Sequence, residues 1–156
     1  MIPPLDDRGL LPAGVHECAL DEAERWAQED LHRQGIWAGL RSVLPTIRSP
    51  FTHRGLPPPP LTLAGSYFSD KPAPGDIEAV LALPPDVPAA VIGECYVCFR
   101  ANRHRWHAEQ RVDYYVMVAG MGNDFRDFFQ YVGIKTGAAK GLPAKERRGI
   151  VQVTSW

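Results

Sequence analysis

Leu61-Thr62-Leu63-Ala64-Gly65-Ser66-Tyr67-Phe68-Ser69-Asp70-Lys71-Pro72-Ala73-Pro74-Gly75-Asp76-Ile77-Glu78-Ala79-Val80-Leu81-Ala82-Leu83 is the stretch on which the reading of this chain turns. A short apolar run stops at Gly65-Ser66, and a polar loop rich in Pro and Gly follows. Two acids separated by Ile77 then lead into a second apolar run. Side chains alternate between faces along a strand. Asp76 and Glu78 therefore share one face, and Ile77 points to the other. Two carboxylates on one face repel each other unless a cation sits between them. Oxygen ligands of that kind suit Mg²⁺, which is usually held by one or two carboxylates together with substrate phosphates.

Gly65 and Ser66 supply a second element. Glycine lets a ligand approach the backbone closely. Successive backbone N–H groups in a turn bind phosphate, and the Ser66 hydroxyl adds a donor. Lys71, in the loop between the turn and the acids, is placed to reach a phosphate or simply to project into water. The bland alternative for the whole set is an ordinary Gly-Ser turn beside a solvated strand face.

Apolar-Gly-Ser, a spacer from Tyr67 to Gly75, then Asp76-Ile77-Glu78 resembles the signature of the DNA polymerase β-like nucleotidyltransferase superfamily. In that superfamily a later strand contributes a third carboxylate. Arg111-Val112-Asp113-Tyr114-Tyr115-Val116-Met117-Val118 offers one here, at Asp113. Within the superfamily, Gly65 to Pro72 and Gly75 to Glu78 look like a small uncharacterised bacterial family. So do the opening Leu11-Pro12-Ala13-Gly14-Val15-His16-Glu17-Cys18 and the ending, Asp127-Phe128-Phe129-Gln130 followed by a basic loop and Arg148-Gly149-Ile150-Val151-Gln152-Val153. One departure is Glu78, where that small family more often carries Asp. The resemblance implies metal binding and catalysis by Asp76, Glu78 and Asp113, with nucleotide held by Gly65, Ser66 and Lys71. The implied cofactor is Mg²⁺ or Mn²⁺.

At 156 residues the chain is most economically one domain, spanning 1–156, with a single core. Hydrophobic residues make up 45% and charged residues 22%, as in ordinary globular proteins. A net charge of −1 argues against a wholesale electrostatic grip on nucleic acid but leaves room for a local basic patch. No window approaches the roughly 20 apolar residues of a membrane span, and the N-terminus lacks a signal-peptide pattern. Three cysteines, an odd number, fit a reducing compartment. A cytoplasmic protein without a membrane contact is the expectation.

Working outward, residues 1–18 read as an extended arm and 19–29 as a short helix. Apolar residues at helical spacing from Leu31 to Ile47 predict a longer helix to about residue 48, weakened at Gly35, Gly39 and Pro45. Residues 49–60 form a loop, and Pro57 to Pro60, unable to join a central strand, deliver the chain to the edge of the fold. Strands are expected at 61–64, 76–83, 111–118 and 149–154. Asp86 is a candidate cap, ahead of Pro88, for a helix running to about Glu109. A short aromatic helix is expected from Asp124 to Tyr131, and a Gly- and Lys-rich basic loop at 133–148.

Further signals compete with plainer readings. Cys95, Cys98, His104 and His107 are zinc-type ligands. On one continuous helix, however, Cys95 and His107 stand about 18 Å apart, too far for a single ion. Arg100, Arg103, His104, Arg105 and His107 suit a solvated helix end better than the alternative, a contact to triphosphate or RNA. Lys135, Lys140, Lys145, Arg147 and Arg148 suit either a solvated loop or a segment that folds over nucleotide or RNA. Phe125, Phe128, Phe129 and Tyr131 read as packing residues rather than a base-stacking platform.

The fold expected is α/β, a minimal nucleotidyltransferase-like arrangement of a small mixed β-sheet packed by helices. The function that the resemblance implies is Mg²⁺-dependent transfer of NMP from an NTP to a hydroxyl on RNA (tRNA included) or protein, as in toxin-like relatives. A partner protein or a homo-oligomer would select the acceptor. The alternative is a nucleotidyltransferase-like module that binds or interacts without catalysis.

Overall fold

The computed structural model describes residues 1–26 and 30–156. The last part of the helix expected at 19–29 therefore lies outside the described residues. The elements run β1 (Gly14–Ala19), α1 (Leu20–Arg25), α2 (Leu31–Thr52), β2 (Leu61–Ala64), β3 (Ile77–Leu83), α3 (Ala89–Arg105), β4 (Val112–Val118), α4 (Phe125–Phe129), α5 (Gly133–Lys140) and β5 (Gly149–Ser155). A 3₁₀ turn covers Ser66–Phe68, and α3 runs on into a π-helical turn at Trp106–Gln110. The class is mixed α/β, as expected.

The strands form one sheet in the order β1-β5-β2-β3-β4. β1 is parallel to β5, β2 is antiparallel to both β5 and β3, and β3 is parallel to β4. Period-two alternation divides the sheet into two faces. One face carries Leu61, Leu63, Ile77, Ala79, Leu81, Val112, Tyr114, Val116, Val151 and Val153 into the main core, which α2 and α3 cover. The other carries Ala64, Val80, Met117 and Ile150 against Phe129, with Tyr115 and Phe125 alongside. That second face is only partly covered, and Glu78 and Asp113 stand on it.

Residues 1–18 are not simply an arm. Gly14–Ala19 adds an edge strand beside β5, and Leu10 and Leu11 are fully buried. The alternation in Val15-His16-Glu17-Cys18 is too polar to announce a strand, and its partner lies at the far end of the chain. The four prolines stay out of the ladder, but β2, which they precede, is the middle strand rather than an edge. Asp86 does not cap α3; Pro88 holds that position, with no side-chain cap. Residues 133–147 are not all loop, because α5 occupies the first half.

α2 extends past its expected end to Thr52 despite containing Pro45 and Pro50. Pro50 has no N–H to give the carbonyl of Thr46. The Ser49 hydroxyl donates to that carbonyl at 2.9 Å instead. At its start α2 is capped by Asp30, whose carboxylate accepts from the N–H groups of His32 and Arg33. Among the described residues no helix is long and apolar enough to cross a membrane.

The two α2 glycines differ in what surrounds them. A Cβ at Gly39 would overlap the carbonyl oxygen of Gln110, so the π-helical turn sits directly on the α2 backbone; a Cβ at Gly35 would meet nothing within 4 Å. Gly39→Ala is expected to destabilise the protein by about 1–3 kcal/mol through overpacking. Gly35→Ala is expected to stabilise it by about 0.5–1 kcal/mol through helix propensity. Urea denaturation of the two variants checks the pair, and equal shifts of the same sign would contradict this packing.

Candidate functional site

The register of three adjacent strands builds the site. Ala64 on β2 pairs with Glu78 on β3, which pairs in turn with Asp113 on β4. Glu78 and Asp113 are therefore side by side on the sheet face away from the main core. Asp76 precedes β3 and is close enough to raise the pKa of Glu78. The sheet thus brings Asp113 to two carboxylates 35 and 37 residues earlier in the sequence.

Gly65 has φ +90°, and a Cβ there would fall within the Glu78 carboxylate. Any other residue would be strained in that backbone conformation and would evict the acid. Glu78 Oε2 is buried, with no hydrogen-bond partner among the described residues. Burial is the largest influence on this carboxyl. Asp76 and, more weakly, Asp113 add to it, and together they push its pKa up to about 7 against the opposing pull of Arg148. Arg148 is itself buried, donates from Nε to the Phe129 carbonyl at 3.2 Å, and has its pKa lowered by that burial.

The other two acids already have protein partners. The Tyr115 hydroxyl donates to Asp113 Oδ2 at 2.7 Å. His107 Nε2 lies 3.0 Å from Asp76 Oδ2. Among the described residues, no three His, Cys, Asp or Glu side chains are arranged to hold a metal ion as they stand. That applies to the Cys95, Cys98, His104 and His107 set as well as to the acids. Each carboxylate still has free lone pairs, since an ionised carboxyl accepts at about four positions.

The loop from Gly65 to Asp76 is anchored by Arg33, which sequence reasoning passed over. The Arg33 guanidinium is buried and paired with Asp30. It donates to the carbonyls of Tyr67 at 3.0 Å, Ser69 at 2.7 Å and Lys71 at 2.7 Å. Tyr67 packs face-on to Trp37, with centroids 6.3 Å apart. One α2 side chain thus fixes the backbone between the turn and the acids. The only sequence signal was an Arg on the expected apolar stripe of a helix, three residues after an Asp.

A cavity of about 910 Å³ opens over this face. Ser66, Gly75, Asp76 and Glu78 line its floor, and Lys71, Lys135, Lys145 and Arg148 line it with positive charge. Asp113 is outside the lining, one strand further on. The basic patch expected at 133–148 therefore divides. Lys135, Lys145 and Arg148 face the cavity. Lys140 instead pairs with Asp70 at 2.6 Å, and Arg147 pairs with Asp127 at 2.9 Å. The basic end of α3 is not merely solvated either. Arg103 lies over the rings of Phe99 and Tyr115, and His107 meets Asp76. Phe125 and Phe129 pack against Tyr115, as packing residues should, but Phe128 and Tyr131 are exposed on the cavity wall.

Residues 3–154 match the model of a family of unknown function, DUF6932, and the chain belongs to that family. No curated protein and no solved structure matches it.

The raised Glu78 pKa fixes a sign for pH dependence. The fold favours the protonated carboxyl, so this group's contribution is fully present below its ordinary value of 4.5 and is lost as pH rises through about 7. Glu78→Gln removes the buried charge. Relative to the native chain, it is expected to raise stability by about 1–3 kcal/mol at pH 8 and to change it little at pH 4.5. Denaturant titrations at the two pH values measure this. Destabilisation at pH 8 by the substitution would contradict the burial argument.

Proposed function

We propose that this chain is a Mg²⁺- or Mn²⁺-dependent nucleotidyltransferase that moves NMP from an NTP to a hydroxyl on an RNA or protein acceptor. The observation that supports the reading most is the Glu78 carboxylate: buried, unpartnered at Oε2, level with Asp113, and beside a cavity carrying four cationic side chains. A divalent cation fits this donor set, because it would relieve the mutual repulsion of Asp76, Glu78 and Asp113 and give Oε2 a partner. Those three residues would hold it. When bound, it supplies positive charge that lowers the acceptor hydroxyl's pKa and stabilises the departing pyrophosphate.

The chain's own residues do the rest. The Gly65 and Ser66 backbone and the Ser66 hydroxyl hold the β- and γ-phosphates, with Lys71 alongside. Arg33 keeps that loop in place from behind. The acceptor oxygen forms a bond to the α-phosphorus, the bond from the α-phosphorus to the bridging oxygen breaks, and pyrophosphate leaves. Asp113 takes up the hydroxyl proton once its hydrogen bond from Tyr115 is given up. A partner protein or a second copy of the chain selects the acceptor, and a cytoplasmic setting supplies the NTP.

A second reading has its own support. His107 and Tyr115 already engage Asp76 and Asp113, as they would in a nucleotide-binding module that has given up catalysis. Incubation with each labelled NTP, Mg²⁺ or Mn²⁺, total RNA and protein separates the two. Transfer of label by the native chain, reduced in Asp76→Ala by on the order of 10²–10³-fold, is the expected outcome. An NTP-dependent rise in melting temperature without any transfer would favour the module. Transfer that survives the substitution would remove Asp76 from the mechanism.

A further inference from the structure

The cavity has one wall that phosphate does not explain. Phe128 is 66% exposed, Ile134 82% and Tyr131 37%, and all three line the cavity rather than either core. Apolar side chains left open inside a concave site are the usual lining for the apolar part of a ligand. The two aromatic rings are also held in place. The Phe128 ring meets buried Phe129 edge-on, with centroids 5.3 Å apart. Arg147 covers Tyr131 at 4.5 Å from its centroid while paired with Asp127. The Tyr131 backbone bridges to Arg147.

Lys71, Lys135 and Lys145 share that cavity, and among the described residues none of their ammonium groups has a carboxylate partner. One cavity therefore offers unneutralised cations, acids suited to a cation, and an apolar wall of two held aromatic rings with Ile134 beside them. A ligand that satisfies all three is polyanionic at one end and flat and apolar-faced at the other. A nucleoside triphosphate has that form.

Base-specific reading needs donors and acceptors fixed in the plane of the base, most often supplied by Arg, Lys, Asn or Gln side chains. Among the described residues lining the cavity there is no Asn or Gln, the Arg148 guanidinium donates to the Phe129 carbonyl, and the three lysines are the cations left for the phosphates. Stacking tolerates every base, because every base has a π-face. Resting on the nucleotidyltransferase reading above, we infer that Phe128, Tyr131 and Ile134 seat the nucleobase of the triphosphate by stacking and apolar contact, so that the site accepts all four bases.

Calorimetric titration of the full chain with ATP, GTP, CTP, UTP and inorganic tripolyphosphate, each with Mg²⁺, tests this. Each NTP is expected to bind at least about 10-fold more tightly than tripolyphosphate, with the four affinities within about 10-fold of one another. Phe128→Ala is expected to weaken all four NTPs by about 10- to 100-fold and to leave tripolyphosphate unchanged, while Phe128→Trp keeps or strengthens NTP binding. Phe128 is exposed, so both variants should fold, which circular dichroism checks. NTP affinity unchanged in Phe128→Ala overturns the inference, as does preference for one base by more than 100-fold. Tripolyphosphate binding as tightly as the NTPs overturns it while sparing the phosphate-binding part of the parent reading. Failure of every probe to bind overturns both.

Discussion

Glu78 is a carboxylate pressed against the α-carbon of a glycine, level with Ala64 on one neighbouring strand and Asp113 on the other. Keeping a charge there is costly, because desolvation and two nearby acids all oppose ionisation. The surrounding structure is arranged around that cost. Gly65 leaves the space, Arg148 brings a buried opposite charge, and the cavity leaves one side open to a ligand. A carboxyl in ordinary solvent would need none of these, and a packed apolar side chain would form a more stable sheet face.

The sheet's two faces separate the main core from the carboxylates. Apolar residues of β2, β3, β4 and β5 make the main core beneath α2 and α3, and that core fixes the register. A slip of one residue between β3 and β4 would turn every side chain to the opposite face. The register therefore sets the Glu78–Asp113 juxtaposition on the other side. α2 contributes twice, by covering the core and by sending Arg33 through to three carbonyls of the 67–71 loop. The site loop is thus tied to α2, which carries the run of buried residues from Ile36 to Phe51, so the turn at Gly65-Ser66 is held in one conformation.

The sequence made the centre of this arrangement legible because its signals are local. Period-two alternation in β3, the Gly65-Ser66 break and the β-branched and aromatic run around Asp113 are each readable within a few residues. What was not legible depends on distant partners. β1 becomes a strand only because Gly149–Ser155 lies beside it. α5 forms from a Gly-rich segment of weak propensity that the chain closes around, with Gly133 bonded to Ala144 and Val132 to Glu146. The division of the basic segment into cavity-facing and paired cations follows from where Asp70 and Asp127 fall. The partners of the acids, His107 and Tyr115, were visible only as a helix-end histidine and a strand tyrosine. Phe128 and Phe129 are adjacent and chemically alike, and only their places on α4 decide that one packs and the other faces the cavity.

The three acids are the proposed place for a divalent cation. Anomalous scattering from crystals grown with Mn²⁺ and a non-hydrolysable NTP addresses it directly. The prediction is a manganese peak within about 2–2.5 Å of a Glu78 oxygen, shared with Asp76 or Asp113, with the His107 or Tyr115 contact to that acid released. Density for the nucleotide with no manganese at these carboxylates, His107 still on Asp76 and Tyr115 still on Asp113, would contradict it.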